Sequence, residues 1–461
     1  MTKLTALAVL SFILLLPYYA AADAVDDFLL TQMQRNHVPG LSVAIVRDGK
    51  IVKLKGYGIA NLEWQQPVTP DTVFQIASST KPFAGTALML LVDQGKISPS
   101  DKVRKYIPDA PAEWEAMTIR HLATHSSGIS GRVDAGDNAS VQEYVKAAFK
   151  NPLDYKPGEK SAYGFADSVV LTYIIEKISG QNFVDFLNSS LIRPLGMTST
   201  SFDFASVSGP VRFSDVIPKR AGIYSWENGK NQNYTFYYPV RGYAAGGMLS
   251  TASDIAKLAT ALDGGKLLSQ QSIEQMWSRD KLADGTMNGF GVGWVVEEYN
   301  GRRTVGHSGG PALADILRFP DEKLTIIVLA NGQRLFPYLA KGIAEIYFPP
   351  PVLPEAVAIA DNDPELTKIV GKVLADGAAD EVDASLFTEE AKKEFVGAFK
   401  RFGLPYFAQF GPMTSLKLVE HKETEDGITR RYRADYGKKA AVWTFQFDKQ
   451  KKIKSLEPKT L

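Results

Sequence analysis

The chain has 461 residues, of which 45% are hydrophobic, and it contains no cysteine. Its 52 Lys and Arg residues nearly balance its 51 Asp and Glu residues, so no strongly basic or acidic field favours nucleic acid or an anionic membrane as a partner. The length indicates two or three domains, and the lack of cysteine excludes disulfide bonds.

Residues 1–22 have the pattern of a secretory signal peptide. Lys3 precedes an apolar run, Leu4–Leu16, which Pro17 ends, and Ala20–Ala22 offers small residues for cleavage. The run is shorter than the roughly 20 apolar residues that span a membrane; an uncleaved anchor or a core helix is the alternative. We therefore expect a periplasmic or secreted protein with no integral membrane span.

The chain then predicts a helix over residues 25–37 and an antiparallel hairpin. Two β-runs, Leu41–Val46 and Ile51–Gly56, are joined through Asp48-Gly49, which is a strong hairpin signal. An antiparallel sheet is expected to begin here.

Ser78 and Lys81 follow, in the first turn of a helix that is predicted to bury one face and to end at Gly95. Residues three apart on a helix are neighbours, and a serine hydroxyl becomes a nucleophile when an adjacent base takes its proton. Lysine is that base only if burial and the helix N-terminus lower its pKa from about 10.4. A Ser-x-x-Lys pattern also occurs as an ordinary helix cap, so the motif alone leaves both possibilities open.

His121 and His125 lie four residues apart in a predicted short helix and could face a metal together. Leu122 stands where a zinc protease carries its glutamate, and no third ligand is evident nearby. We therefore expect structural histidines and no metal.

Two further stretches carry aromatic residues. Tyr163 follows a predicted turn over residues 156–159 and precedes a predicted helix, Val169–Ile178. Residues 224–243 are rich in Tyr, Phe and Trp among glycines and asparagines. Such a loop either walls an apolar cleft or packs on itself.

Two helices, four strands and a closing helix complete the large predicted domain. They are expected at Ser253–Leu262, Gln270–Trp277, Gly291–Val296, Arg303–Gly310, Ile316–Phe319, Thr325–Leu329 and Leu339–Tyr347. A proline tract then predicts a stiff linker over residues 349–360. Beyond it, residues 361–461 predict a small α+β domain with two helical stretches followed by three strands, Ser415–His421, Thr429–Tyr436 and Ala441–Phe447.

The motifs Ser78-Ser79-Thr80-Lys81, the Tyr163 turn and His307-Ser308-Gly309-Gly310 together resemble the serine β-lactamase and penicillin-binding protein superfamily. The likeness is closest to its class C β-lactamase-like branch, which includes esterases and D-amino-acid peptidases. It extends over residues 25–347. The resemblance implies an α+β fold for a domain at 23–348, with an antiparallel sheet flanked by helices, a helical lobe and the site between them.

The resemblance also implies roles for single residues. Ser78 would be acylated, Lys81 and Tyr163 would be its acid–base pair, and water would hydrolyse the acyl-enzyme without a cofactor. A neighbouring ammonium would lower the pKa of the phenol, so that the pair titrates as a unit. The amides of Ser78 and Gly310 would form the oxyanion hole, and His307 and Gly309 would line the substrate side of their strand.

Two positions depart from the pattern of this superfamily. Many members carry asparagine two residues past the tyrosine, where this chain has Phe165, which makes no side-chain hydrogen bond. Many β-lactam-processing members carry lysine where this chain has His307, which is only partly charged near neutrality. Both changes favour small esters or other acyl compounds as substrates. A β-lactamase, a D-alanyl-D-alanine carboxypeptidase and a D-aminopeptidase are the alternatives.

Two other interpretations stay open. Gly306–Gly310 also matches the Gly-x-Ser-x-Gly nucleophile elbow of α/β-hydrolases, with Ser308 as nucleophile and His421 as its only downstream histidine. The fold also occurs in sensors that are acylated without turning over, or the chain could be a binding protein. The C-terminal domain loosely resembles the cone-shaped domains of the ketosteroid isomerase type.

Overall fold

The computed structural model describes residues 24–204, 206–208, 211–310, 312–333, 338–349, 357–379, 382–396, 407, 410–424, 427–437 and 439–460. The predicted signal peptide and residues 350–356 of the predicted linker lie outside them. The chain divides into two compact units, one of residues 37–333 and one that combines residues up to 36 with those from 334 onward. The linker at 349–360 therefore stays a prediction.

The described helices and strands are as follows. The helices are α1 (residues 24–35), α2 (Lys81–Asp93), α3 (Val103–Tyr106), α4 (Ile119–Ala123), α5 (Val141–Ala148), α6 (Phe165–Ser179), α7 (Phe183–Leu187), α8 (Tyr243–Gly246), α9 (Ala252–Asp263), α10 (Gln270–Met276), α11 (Tyr338–Tyr347), α12 (Pro364–Ala379) and α13 (Glu389–Ala391). The strands of the first unit are β1 (Gly40–Arg47), β2 (Lys50–Asn61), β3 (Gln66–Pro67), β4 (Phe74–Gln75), β5 (Ser201–Phe202), β6 (Ser206–Ser208), β7 (Val211–Phe213), β8 (Tyr224–Glu227), β9 (Lys230–Asn233), β10 (Met248–Ser250), β11 (Val295–Tyr299), β12 (Arg302–Gly309), β13 (Ala312–Phe319) and β14 (Leu324–Gln333). Those of the second unit are β15 (Ser415–Thr424), β16 (Gly427–Tyr436), β17 (Lys439–Phe447) and β18 (Ile453–Thr460).

An antiparallel sheet forms the centre of the unit at 37–333. Its strands follow the order β11-β12-β13-β14-β1-β2-β3, and the β8–β9 hairpin joins it through a parallel bridge to β14. Asp48 and Gly49 have φ values of 50° and 71°, as a two-residue turn between twisted strands requires. The mixture of helices and antiparallel sheet confirms the predicted α+β class.

Helix α2 is buried on all sides over its first nine residues, and the predicted burial of one face is therefore wrong. A Cβ atom on Gly85 would lie 2.2 Å from the carbonyl oxygen of Val292, so glycine lets the chain pass directly beside the helix. Gly293 in that passing segment has a φ of 74°. Because residues 292 and 293 pass beside α2 in this way, strand β11 begins only at Val295, four residues later than predicted.

The unit that contains the C-terminus has a four-stranded antiparallel meander, β15-β16-β17-β18. The sequence predicted three of these strands and missed β18. Trp443, Tyr432 and Phe445 are buried in a core shared with α12. The resemblance to a ketosteroid isomerase cone stays a prediction. Among the helices described, none has both the length and the apolar character to cross a membrane.

Candidate active site

Ser78 lies in a single 3-10 turn, Ala77–Thr80, immediately before α2, and not in the first turn of the α-helix as predicted. Ala77 has a φ of 46°, an unusual left-handed conformation for a residue with a side chain. The hydroxyl of Ser79 donates hydrogen bonds to the carbonyl oxygens of His307, at 3.0 Å, and Ala314, at 3.2 Å. The turn is thereby tied to β12 and β13.

Strand β12 packs directly against this turn because Gly309 has no side chain. A Cβ atom on Gly309 would lie 2.0 Å from the carbonyl oxygen of Ile76. The next residue, Gly310, faces open space at its Cα. The close approach brings the predicted third motif beside Ser78. The assignment of the Ser78 and Gly310 amides to an oxyanion hole stays a prediction.

Lys81 is the first residue of α2 and only 6% exposed. Its Nζ donates a hydrogen bond to the carbonyl oxygen of Ala245 at 2.7 Å and lies 4.6 Å from the centroid of the Tyr163 ring. Burial lowers the pKa of Lys81 to about 7, although the carboxylate of Asp167 acts in the opposite direction. Near neutral pH a large share of this amine is therefore unprotonated and able to accept a proton.

Tyr163 comes from the loop before α6. Tyr163 is 51% exposed, yet burial raises the pKa of its phenol to about 12, and the nearby Ser78 hydroxyl only partly opposes this. The phenol is thus protonated at neutral pH. The predicted lowering of its pKa by a neighbouring ammonium is wrong, because desolvation of the phenol is the largest effect on this pKa and raises it.

Tyr238 is a second phenol at the site, and the sequence did not single it out. Burial raises the pKa of Tyr238 to about 12, Tyr163 adds to the rise, and the Ser78 hydroxyl opposes it. The Tyr238 ring packs so closely on Gly246 that a Cβ atom there would lie 2.2 Å from its Cζ. Its only signal in the sequence was the aromatic richness of residues 224–243, which turn out to contain the β8–β9 hairpin.

His307 faces the same site, with its ring 5.9 Å from that of Tyr163. Its Nδ1 lies 2.8 Å from the carbonyl oxygen of Ser308; since a carbonyl only accepts, Nδ1 carries the proton and Nε2 is left as an acceptor. Nε2 is buried and has no hydrogen-bond partner among the described residues. Burial lowers the pKa of His307 to about 3, helped by the charge of Lys81, so the predicted partial charge near neutrality is wrong.

Two other predicted positions lie in different surroundings. The Phe165 ring packs edge-on against Tyr144, 5.8 Å away, and against Gly242; a role in substrate binding stays a prediction. The hydroxyl of Ser308 donates to the Asp315 carboxylate at 2.8 Å. Ser308 lies within strand β12, paired to β13, whereas a nucleophile elbow needs a sharp strand-to-helix turn.

The two histidines near α4 have separate roles. His121 completes the N-terminal cap of that helix, since the Thr118 amide donates to its Nδ1 at 3.2 Å. His125 lies beside Asp167 and Tyr163. Within the described ranges, no three His, Cys, Asp or Glu residues gather in a way that could hold a metal ion.

Comparisons with known proteins place this geometry in a family context. The Beta-lactamase family model matches residues 25–347. Protein flp from Staphylococcus aureus (strain COL) is 26% identical over 329 residues, which cover 67% of this chain and 62% of flp. The chain therefore spans less than two thirds of that relative.

Two solved structures are similar as well. The octameric penicillin-binding protein homologue from Pyrococcus abyssi matches with a TM-score of 0.62 at 23% identity, and the match covers 95% of this chain and 96% of the homologue's chain. This likeness concerns the fold alone. D-amino acid amidase from Ochrobactrum anthropi SV3, complexed with L-phenylalanine amide, matches with a TM-score of 0.60 at 26% identity, and the match covers 71% of this chain and 96% of the amidase chain.

Proposed function

Because the chain belongs to the Beta-lactamase family, we propose that it is a serine hydrolase that forms an acyl-enzyme on Ser78 and acts on small esters or amides. The observation that carries the proposal is the buried amine of Lys81, whose pKa of about 7 makes it a base one helical turn from a serine hydroxyl. A serine needs such a neighbour before it can attack a carbonyl carbon.

The protonation states give each group one task. As Ser78 Oγ bonds to the acyl carbon, its proton passes to the neutral Lys81 amine. The protonated Tyr163 donates its proton to the leaving oxygen or nitrogen and regains one from the Lys81 ammonium. In deacylation, water gives a proton to Lys81, its oxygen bonds to the acyl carbon, and the Ser78 oxygen recovers a proton as it leaves.

The amides of Ser78 and Gly310 are our candidates for the oxyanion hole. Both lie where β12 meets the 3-10 turn, and stabilisation of the developing oxyanion is usually a large part of such catalysis. The close fit of Gly309 against Ile76 supports a fixed distance between the two amides.

The substrate side favours neutral acyl compounds over carboxylates. The unprotonated Nε2 of His307 offers a buried hydrogen-bond acceptor and no positive charge that could bind a carboxylate. Phe165 stands where many members of the superfamily have the side-chain amide of asparagine. A substrate with an N–H or O–H donor near its carbonyl would satisfy Nε2, which is costly to leave unpaired. The similarity to a D-amino acid amidase supports amides among the substrates.

One set of assays tests the proposal. Purified protein is mixed with a short-chain p-nitrophenyl ester, D-phenylalanine amide or a chromogenic cephalosporin, and turnover and intact mass are measured. We expect many turnovers of the ester or amide, abolished in Ser78→Ala and retained in Ser308→Ala. A stable single adduct would indicate the sensor, and turnover that survives Ser78→Ala would refute the assignment of the nucleophile.

We propose in addition that the protein is exported, with cleavage after Ala22. The support is the charged, apolar and small-residue pattern of residues 1–22. N-terminal sequencing of protein from the periplasm or medium tests this, and a mature protein that starts at Met1 would contradict it.

A further inference from the structure

A carboxylate and an imidazole are buried together behind the candidate active site. Asp167 and His125 are each 4% exposed, and Asp167 Oδ2 lies 3.1 Å from His125 Nδ1. The other carboxylate oxygen accepts a hydrogen bond from the Ser127 hydroxyl. A buried carboxylate is costly unless it is hydrogen-bonded in this way.

The orientation of His125 follows from these contacts. Its Nδ1 lies 3.1 Å from Asp167 Oδ2 and 3.4 Å from the Gly164 amide. A carboxylate only accepts, and the contact to it is the shorter one, so Nδ1 carries the proton and donates to Asp167. The ring is then held in place by Asp167 on one side.

The same ring packs on the phenol of the site. The centroid of His125 lies 4.7 Å from that of Tyr163 and 5.1 Å from that of Phe290, and Tyr163 stacks on Phe290 at 5.9 Å. Tyr163 in turn lies beneath Lys81 Nζ. A line of direct contacts therefore runs from Asp167 through His125 and Tyr163 to Lys81.

Asp167 also acts on Lys81 through its charge. The titratable groups that face the lysine are Tyr163, His307, His125 and Asp167, and Tyr238 lies beside Tyr163 and Ser78. Tyr163 and His307 are neutral near pH 7, and the charge that acts on the Lys81 amine is that of Asp167. Its carboxylate opposes the effect of burial on the amine, and His125 and Lys81 line one pocket bordered by α2 and α6.

We propose that Asp167 and His125 form a positioning pair, in which the buried Asp167 carboxylate orients the His125 ring, His125 holds the Tyr163 ring against Lys81, and the negative charge of Asp167 favours the ammonium form of Lys81. Neither residue touches the reacting atoms. The expected loss of turnover rests on the proposed function, but the expected effects on the Lys81 titration and on the position of the Tyr163 ring do not.

The test measures the Lys81 titration directly. Protein labelled with ¹³C-lysine is titrated by NMR, with the Lys81 signal assigned by its loss in Lys81→Met. We expect Asp167→Asn to move the Lys81 titration to lower pH, because it removes the negative charge that favours the ammonium. The acid limb of the kcat/KM profile for an ester should move to lower pH with it.

Asp254→Asn is the matched control. Asp254 is 2% exposed and is the third residue of α9, as Asp167 is of α6, but it pairs with Lys257. We expect it to leave the Lys81 titration unchanged. An unchanged titration in Asp167→Asn, or an equal shift in Asp254→Asn, would overturn the charge effect.

His125→Asn separates positioning from charge and serves if Asp167→Asn does not fold. It keeps the carboxylate, so the Lys81 titration should stay near that of the wild type, while the ring-current shift of the Lys81 ε-protons from Tyr163 should shrink. We expect kcat to fall by roughly ten- to a hundredfold, since a displacement of about 1 Å can cost that much. An unchanged ring-current shift would overturn the positioning role. An inactive wild type would refute the proposed function while both NMR readings still decide on the pair.

Discussion

At the scale of single residues, burial of Lys81 works against folding while it makes the amine a base. Between pH 7 and about 10.5 the unfolded chain binds the proton that folded Lys81 has released, so this residue makes the free energy of unfolding rise with pH across that window. Below pH 7 the cost of the buried amine is at its largest.

Lys81→Met should therefore stabilise the protein. We expect a free energy of unfolding about 3 kcal/mol above that of the wild type at pH 7, because the desolvation cost of about 4 kcal/mol disappears while the hydrogen bond to Ala245, worth about 1 kcal/mol, is lost. The gap should close as the pH rises towards 10. Urea unfolding at several pH values measures it, with the exposed Lys96 changed to Met as control. A gap that is constant with pH would contradict the depressed pKa.

The two phenols beside Ser78 should differ in how much each contributes to kcat/KM. Only Tyr163 lies against Lys81, so we expect Tyr163→Phe to lower kcat/KM for an ester by about 10²- to 10⁴-fold, as loss of a general acid does. Tyr238→Phe removes a neighbouring hydroxyl but no proton donor in the proposed scheme, and a loss of about tenfold is expected, equivalent to one hydrogen bond.

Steady-state kinetics distinguish the two variants. Tyr224→Phe is the control. The Tyr224 hydroxyl accepts a hydrogen bond from the Leu62 amide and donates one to the Glu63 carboxylate, so its loss should not affect turnover. A larger loss in Tyr238→Phe than in Tyr163→Phe would exchange the roles of the two tyrosines.

Sequence reasoning identified the residues that occur in spaced motifs and missed what depends on tertiary packing. Ser78 and Lys81 are neighbours through local geometry alone. Tyr238 reaches the same place although it follows Ser78 by 160 positions, and a tyrosine in an aromatic-rich loop has no spacing that could reveal this. The pKa of Tyr163 was misjudged because a sequence shows which charges are present but not how strongly a hydroxyl is desolvated.

At the scale of elements, the fit of β12 against the 3-10 turn decides whether the motifs meet. Gly309→Ala would place a Cβ atom 2.0 Å from the Ile76 carbonyl oxygen, so strand and turn must separate. We expect a loss of about 1–3 kcal/mol in stability, typical of overpacking, and a loss of activity greater than this destabilisation explains.

Thermal unfolding and ester hydrolysis measure both effects. Gly131→Ala is the control, since a Cβ atom there meets nothing within 4 Å and its φ is ordinary for an L-residue. An active Gly309→Ala variant of wild-type stability would show that the close approach is unimportant for the site.

Elements with a strong local signal were predicted well. The turn at Asp48-Gly49 has φ values of 50° and 71° and joins β1 to β2 as predicted. Strand β18 was missed; it includes Pro458, which argues against a strand except at a sheet edge, and β18 is such an edge. The all-round burial of α2 depends on Gly85 and the distant Gly293, a pairing that helical periodicity does not reveal.

At the scale of the whole molecule, two of the hydrophobic cores among the described residues have no members in common. One lies within residues 37–333 and the other within residues 366–456. Separate cores favour separate cooperative transitions. Ser78 belongs to the unit that holds the first core, so a ligand bound there stabilises that unit by mass action.

Differential scanning calorimetry with phenylboronic acid, whose boron can bond to the Ser78 oxygen, tests this division. We expect two transitions, and at 100 times Kd the boronate should add about 2.7 kcal/mol to one of them, raising its Tm by several degrees. The second Tm should not move, and Ser78→Ala should abolish the shift. A single transition that moves as a whole would mean that the two cores unfold together, because binding at Ser78 would then stabilise the entire chain.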